Sequence, residues 1–162
     1  MLKEKIQKEM TDALKAGDQT KRVTLGMLMN SVKNKELVKR TALSKTVTDQ
    51  AKLEEQSQLN DEEILEVIAS EVKKRKESIE QFELGNRKEL AEKEKTEMAI
   101  LTAYLPEQMN EDDVRAEIKK TISELNAQGM KDMGKVIGAV VGKLKGKADG
   151  GMISRITKEL LS

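Results

Sequence analysis

The chain has 162 residues, enough for one ordinary domain or two small ones, with 37% hydrophobic and 36% charged residues. Lys and Arg number 30 against 29 Asp and Glu, and the resulting net charge of +1 names no partner by itself. Cysteine and histidine are absent, which excludes disulfides, thiolate chemistry, and the commonest general base and metal ligand.

The opening stretch MLKEKIQKEM carries charges every few residues and lacks the hydrophobic region of a signal peptide. No apolar run long enough to span a bilayer follows, so a cytoplasmic location with no membrane contact is expected. Aromatics make up only 1%, so Leu, Ile, Val and the nine Met must fill the core, a mixture that favours an all-α protein. Leu2, Ile6, Met10 and Leu14 recur at four-residue spacing on a first helix that stops at Gly17. A second helix over 20–40 carries Leu25, Leu28, Met29 and Val32, with Leu37 further on, and Asp18 or Thr20 can cap it. Residues 41–59 are polar and weakly periodic, and read either as a mobile loop or as a short helix beginning after Thr48.

Asn60 and Glu63 form a capping-box pattern ahead of a strong helix whose apolar positions include Ile64, Val67, Ile68, Val72 and Ile79. Gly85 ends it, and Asn86 caps a helix with an inner face of Leu90, Met98, Leu101 and Leu105. In the basic run Lys73, Lys74, Arg75 and Lys76, only Arg75 falls on the apolar face. Glu94, also inward, is its expected partner in a buried structural ion pair.

Tyr104 and Pro106, the only tyrosine and the only proline, mark the main break in the chain. Proline clashes with a continuing helix and pushes Leu105 out of the α region. The expected organisation is an N-terminal helical domain, 1–105, followed by a small three-helix domain, 106–162. Asn110 and Asp113 start its first helix over 111–127, with Val114, Ile118, Ile122 and Leu125 inward. Asp132 caps a helix running through Lys145. A glycine-rich turn, 146–151, then leads to a last helix bearing Ile153, Ile156 and Leu160.

Two features of this end point to chemistry. Gly134, Gly138 and Gly142 stand four apart inside a helix, where each costs about 1 kcal/mol relative to alanine. Either a neighbouring helix packs closely there, or a sugar-phosphate backbone lies on the flat face. Residues 130–162 also hold seven basic against three acidic residues, net +4, whereas 107–129 is net −3. Lys135, Lys143, Lys145, Lys147 and Arg155, beside Gly138 and Gly142, form a candidate phosphate-binding set, unless the lysines are simply a solvated surface. With no aromatic among them, a structured RNA read by shape and phosphate suits better than stacked single strands. No catalytic residues, metal site or cofactor site is recognised. GKVIGAVVGK lacks the phosphate-loop pattern, and GNRKEL follows no strand.

The motifs KKRKESIEQFELGNRKEL, EKEKTEMAILTAYLPEQMNEDD and DMGKVIGAVVGKLKGKADGGMISRITKELL, in that order, resemble the GatB/YqeY family and closely resemble its stand-alone YqeY-type members. The resemblance runs from the first helix to the end and is weakest over 41–59. It implies an all-helical protein with an N-terminal helical domain and a C-terminal three-helix domain. In the family, matching domains form the tail of the B subunit of the glutamine-dependent aspartyl/glutamyl-tRNA amidotransferase, which contacts the outer corner of tRNA. The matched region here includes Gly134, Lys135, Gly138, Gly146, Ala148, Asp149 and Gly150. The resemblance therefore implies tRNA as partner, and a link to carbon–nitrogen ligases that use glutamine as amido donor. The kinase-like part of that subunit and the serine-rich amidase signature have no counterpart in this sequence, so a non-catalytic tRNA-binding module is expected. The alternatives are an accessory component working with an amidotransferase or synthetase, and a helical protein-interaction module.

Overall fold

A computed structural model describes residues 1–162 and consists of eight α-helices, one 3₁₀ turn and no strands. By its internal contacts the chain divides into two compact units, Met1–Tyr104 and Leu105–Ser162.

The first unit contains α1 (Leu2–Ala16), α2 (Gln19–Leu43), α3 (Gln50–Ser57), α4 (Asp61–Leu84) and α5 (Lys88–Thr102). Its helix ends follow local chemistry. Gly17 adopts a left-handed φ of 74° that ends α1, and the Asp18 carboxylate accepts the Lys21 N–H at 2.9 Å to start α2. In the polar stretch 41–59 the short-helix alternative is realised. Asp49 accepts the N–H groups of Ala51 and Lys52 at 3.0 and 3.1 Å, and α3 pins itself through buried Leu53. The α4 capping box forms as its residues dictate: Asn60 Oδ1 accepts from Glu63 N–H at 2.9 Å, and Glu63 Oε2 from Asn60 N–H at 2.8 Å.

The core gathers Ile6, Leu25, Leu28, Val32, Ile64, Ile68 and Leu101, all fully buried. Each such side chain contributes roughly 1.5–3 kcal/mol. Four sequence expectations fail at its edges. Leu14 is 56% exposed while Ala13 is buried. A strict four-residue spacing drifts by about 40° per step around a 3.6-residue helix, so the stripe has left the core by its fourth member. Leu37, five residues beyond Val32, is exposed for a related reason. Asn86 caps no helix. It takes a left-handed φ of 54° and closes α4, its N–H bonding Glu83 O at 3.0 Å while Arg87 N–H bonds Phe82 O at 2.8 Å. The register of α5 then buries Ala91, Glu97 and Leu101 and leaves Leu90 at the rim.

That register also corrects the buried ion pair. Arg75 is buried as expected, but Nη2 donates to Glu97 Oε2 at 3.1 Å, not to Glu94, while Nη1 reaches Glu71 Oε2 at 3.3 Å. Glu94 lies about a turn short of the guanidinium and is only half-buried. Burial pushes the Glu71 carboxyl up, but hydrogen bonds from Lys74, Ser31 and Arg75 outweigh it and leave the group below its ordinary value.

At the end of this unit Tyr104 closes back onto the first helix. Its hydroxyl donates to Glu9 Oε2 at 2.8 Å, Lys21 Nζ pairs with the same oxygen at 2.8 Å, and Lys5 Nζ stands 5.6 Å over the ring. The bond from Lys21, then that from Tyr104, lowers the Glu9 carboxyl; burial, then the bond to Glu9, raises the phenol. Tyr104→Phe is expected to cost about 1 kcal/mol in urea denaturation at neutral pH. Because Glu9 is depressed in the folded state, that cost is present above the ordinary carboxylate range and shrinks as pH falls through the lowered value.

The second unit contains α6 (Glu111–Glu124), a 3₁₀ turn (Met130–Asp132), α7 (Met133–Leu144) and α8 (Gly150–Leu161). Val114, Ile118, Val136, Val140, Leu144, Ile153, Ile156 and Leu161 form its core. Asn110 caps α6 through the Asp113 N–H at 2.8 Å. This helix ends before 127, with Asn126 at φ 49°; Ile122 and Leu125 are only partly buried, and Thr121 takes an inner position. Asp132 does not cap α7 with its side chain, which instead accepts the Gln128 N–H at 2.8 Å across the turn at Gly129. Gly150 and Gly151 belong to α8, whose cap is Asp149, accepting the Met152 N–H at 3.0 Å. A Cβ at Gly151 would stand 2.8 Å from Asp149 Oδ1, so the cap itself excludes a side chain there.

Candidate nucleic-acid interface

Helix α7 turns Val136, Val140 and Leu144 into the core of the second unit. Its opposite face carries Gly134, Gly138 and Gly142 together with Lys135, all exposed or half-exposed. A Cβ added at any of the three glycines meets nothing within 4 Å. The close-packed neighbouring helix offered as one reading of their spacing is therefore absent from this chain, because α7 packs through its other side. The glycines keep the cost in helix propensity without any return in packing.

The turn after α7 is held from outside itself. Lys145 and Gly146 take positive φ values of 28° and 78°. Gln108 Nε2 donates to the carbonyls of Pro106 at 2.9 Å and Gly146 at 2.8 Å, and Met109 N–H donates to Lys147 O at 2.8 Å. Pro106 Cγ lies 4.0 Å from the position a Gly146 side chain would start from. Pro106 thus does more than interrupt the helix: with Gln108 it clasps the turn on which Lys145 and Lys147 stand. No sequence signal pointed to Gln108, since its partner carbonyl lies 38 residues away.

Among the predicted phosphate ligands, Lys143 and Arg155 are paired with carboxylates. Lys143 reaches across to α6, bonding Thr121 Oγ1 at 3.1 Å and pairing with Glu117 and Glu124. Its ammonium is raised, chiefly by Glu124. Arg155 lies on the α6 side of α8, pairing with Glu111 at 2.8 Å and Glu159 at 3.0 Å, while Arg115 pairs with the same two carboxylates. The bond from Arg155 leads in lowering Glu111, and that from Arg115 leads in lowering Glu159. This network contributes above the ordinary carboxylate range and is lost as pH falls through the lowered values. In an NMR titration, Arg155→Gln is expected to move the Glu111 carboxyl back up toward 4.5.

Lys135, Gly138 and Gly142 lie on one face of α7, and Lys145 and Lys147 stand on the clasped turn at its end. Asp149 already occupies the positive N-terminus of α8, so an anion here is met by ammonium groups rather than by that helix end. Such a surface can hold a phosphate backbone: the lysines supply charge, and the missing side chains permit close approach. No group of three or more His, Cys, Asp or Glu side chains is arranged to hold a metal ion, and no helix is long and apolar enough to cross a membrane.

The chain is 32% identical over 104 residues, 63% of its own length and 70% of the relative's, to the Uncharacterized protein C22F3.15 of Schizosaccharomyces pombe (strain 972 / ATCC 24843). The family described as Yqey-like protein matches residues 3–161, nearly end to end, and the chain belongs to that family.

Proposed function

We propose that the second unit is a non-catalytic module that binds tRNA through its sugar-phosphate backbone, with α7 and the turn after it as the contact surface. The observation that carries this reading is the open glycine face: three glycines that no packing requires, next to Lys135 and ending at a turn that presents Lys145 and Lys147. The resemblance to the tail of a tRNA-dependent amidotransferase supports the choice of RNA. Lys143 and Arg155 serve the fold first, since leaving their carboxylates would cost established ion pairs.

The test is binding of the full chain to folded tRNA and to a length-matched hairpin across a salt series. Selective binding with a steep salt dependence is expected. The double variant Lys135→Glu, Lys147→Glu should weaken it and lower the salt slope by about one for each phosphate no longer neutralised. Equal weak binding to both RNAs, or a double variant that binds like the parent, overturns the assignment.

Val141, 47% exposed beside the glycines, favours a second reading in which a partner helix docks on the same face. Gly138→Leu then abolishes partner binding, while charge reversal at Lys147 leaves it intact.

A further inference from the structure

An exposed surface of the first unit runs along the outside of α2. At 100° per residue, Val23, Met27, Asn30, Asn34, Leu37 and Val38 fall within one arc of about 100°, opposite the face that enters the core, and span about 22 Å. None of the six is charged. Val23 is 44% exposed, Met27 39%, Leu37 62% and Val38 66%. Against α1 the stripe opens into a groove of about 370 Å³ lined by Met10, Thr11, Leu14, Arg22, Val23 and Gly26. Its floor is Gly26, where a Cβ would stand 4.0 Å from Met10 Sδ. The same groove explains why Leu14 stays out of the core: it forms the opposite wall.

The charge on α2 beside this stripe is mostly basic, whereas on the α4 side Glu66 and Glu71 line a hollow with Asn34, Lys35 and Val38. Helix α2 carries six basic residues and a single acidic one, Glu36. Glu36 is neutralised by Lys3, while Lys21 and Lys39 are taken by Glu9 and Glu63. Arg22, Lys33, Lys35 and Arg40 enter no ion pair. On the helix wheel Arg22, Lys33 and Arg40 border one side of the stripe and Lys35 the other. A strip of four apolar side chains and two amides, edged along one side by Arg22, Lys33 and Arg40, is complementary to a helix whose apolar face is flanked by carboxylates.

We propose that the α1–α2 groove and the outer stripe of α2 dock an acidic amphipathic helix of a partner protein. The concave shape and the absence of any aromatic side chain favour a helix over a bilayer, which takes up protruding apolar groups. An RNA gains nothing from Leu14, Val23 and Met27.

The experiment uses the full chain with isotope-labelled methyl groups and two helical peptides of about 16 residues, long enough to cover the stripe. Both carry the same leucine face, one with glutamate flanks and one with lysine flanks. The glutamate peptide is expected to shift the methyl signals of Leu14, Val23, Met27, Leu37 and Val38 saturably, and the lysine peptide not at all. Met27→Glu, at an exposed position that leaves the fold intact, should weaken binding by about tenfold or more, as a charge placed at the centre of an interface does. The pair Arg22→Glu, Lys33→Glu should reverse the preference between peptides, while the tRNA affinity of the same variants stays unchanged. Equal binding of both peptides, or of neither, overturns the proposal. So does a response of the same methyls to phosphatidylglycerol vesicles alone, which would make this a membrane surface. Sedimentation showing a dimer that Met27→Glu dissociates would give the face to a second copy, and would overturn it too.

Discussion

Converting Gly138 and Gly142 together to alanine is expected to make the protein more stable and a poorer ligand for tRNA. Both positions lie inside α7 with open space where a Cβ would stand, so alanine strains nothing. The gain in helix propensity is about 1 kcal/mol at each site, or about 2 kcal/mol in all, read as a higher melting temperature. Binding should fall by about tenfold, equivalent to about 1.4 kcal/mol, because two methyl groups hold the RNA backbone away from the helix. The opposite signs make the test decisive. If stability rises and tRNA affinity stays the same, the glycines have no role in contacting RNA, and the α7 face must be given up as the interface.

Removing Glu97 should produce a large loss of stability in the first unit. Its side chain is 7% exposed and that of Arg75 9%. Glu97→Ala leaves a buried guanidinium with only Glu71 to answer it, and Arg75 Nε already lacks a partner. A loss of about 3 kcal/mol is expected, at the lower end for a broken buried pair because Glu71 remains. Glu94→Ala, at the position the sequence favoured, should stay within about 0.5 kcal/mol of the parent. Replacing both partners, Arg75→Met with Glu97→Leu, should recover most of the loss, since no charge is then stranded. Urea denaturation of the four proteins side by side reads all of this; a Glu94 variant as damaged as the Glu97 variant would contradict the register of α4 against α5.

These two cases show where the sequence was readable. Asn60 with Glu63, Asp18, Asn110 and Pro106 each act on backbone groups within a few residues, so their roles follow from spacing alone. The apolar faces around Ile64 and Ile68, and around Val114 and Ile118, repeat strongly enough to identify core positions. Glu94 and Leu90 were misjudged because the choice between adjacent turns of α5 depends on how far that helix slides along α4, and no local pattern encodes a slide. Asn86 was misjudged because the same side chain that caps a helix start also tolerates the left-handed conformation that ends one. At the candidate interface the glycine spacing was visible, but whether that face met protein or solvent depended on which side of α7 the other helices chose. Lys143 looked free because its carboxylate partners stand on another helix, as does Glu111 for Arg155.

The bond from Tyr104 to Glu9 also bears on how the chain is made. It joins residues 95 positions apart, so α1 leaves the ribosome long before the tyrosine that fastens it has been synthesised. Until then, α1 is held only by its packing against α2 and α4. The first unit cannot be completed until its last residue has emerged, whereas the second, built from neighbouring helices, can close as soon as α8 appears. A nascent chain stalled just before Tyr104 should therefore be much more open to protease at α1 than one stalled after that tyrosine has cleared the ribosome.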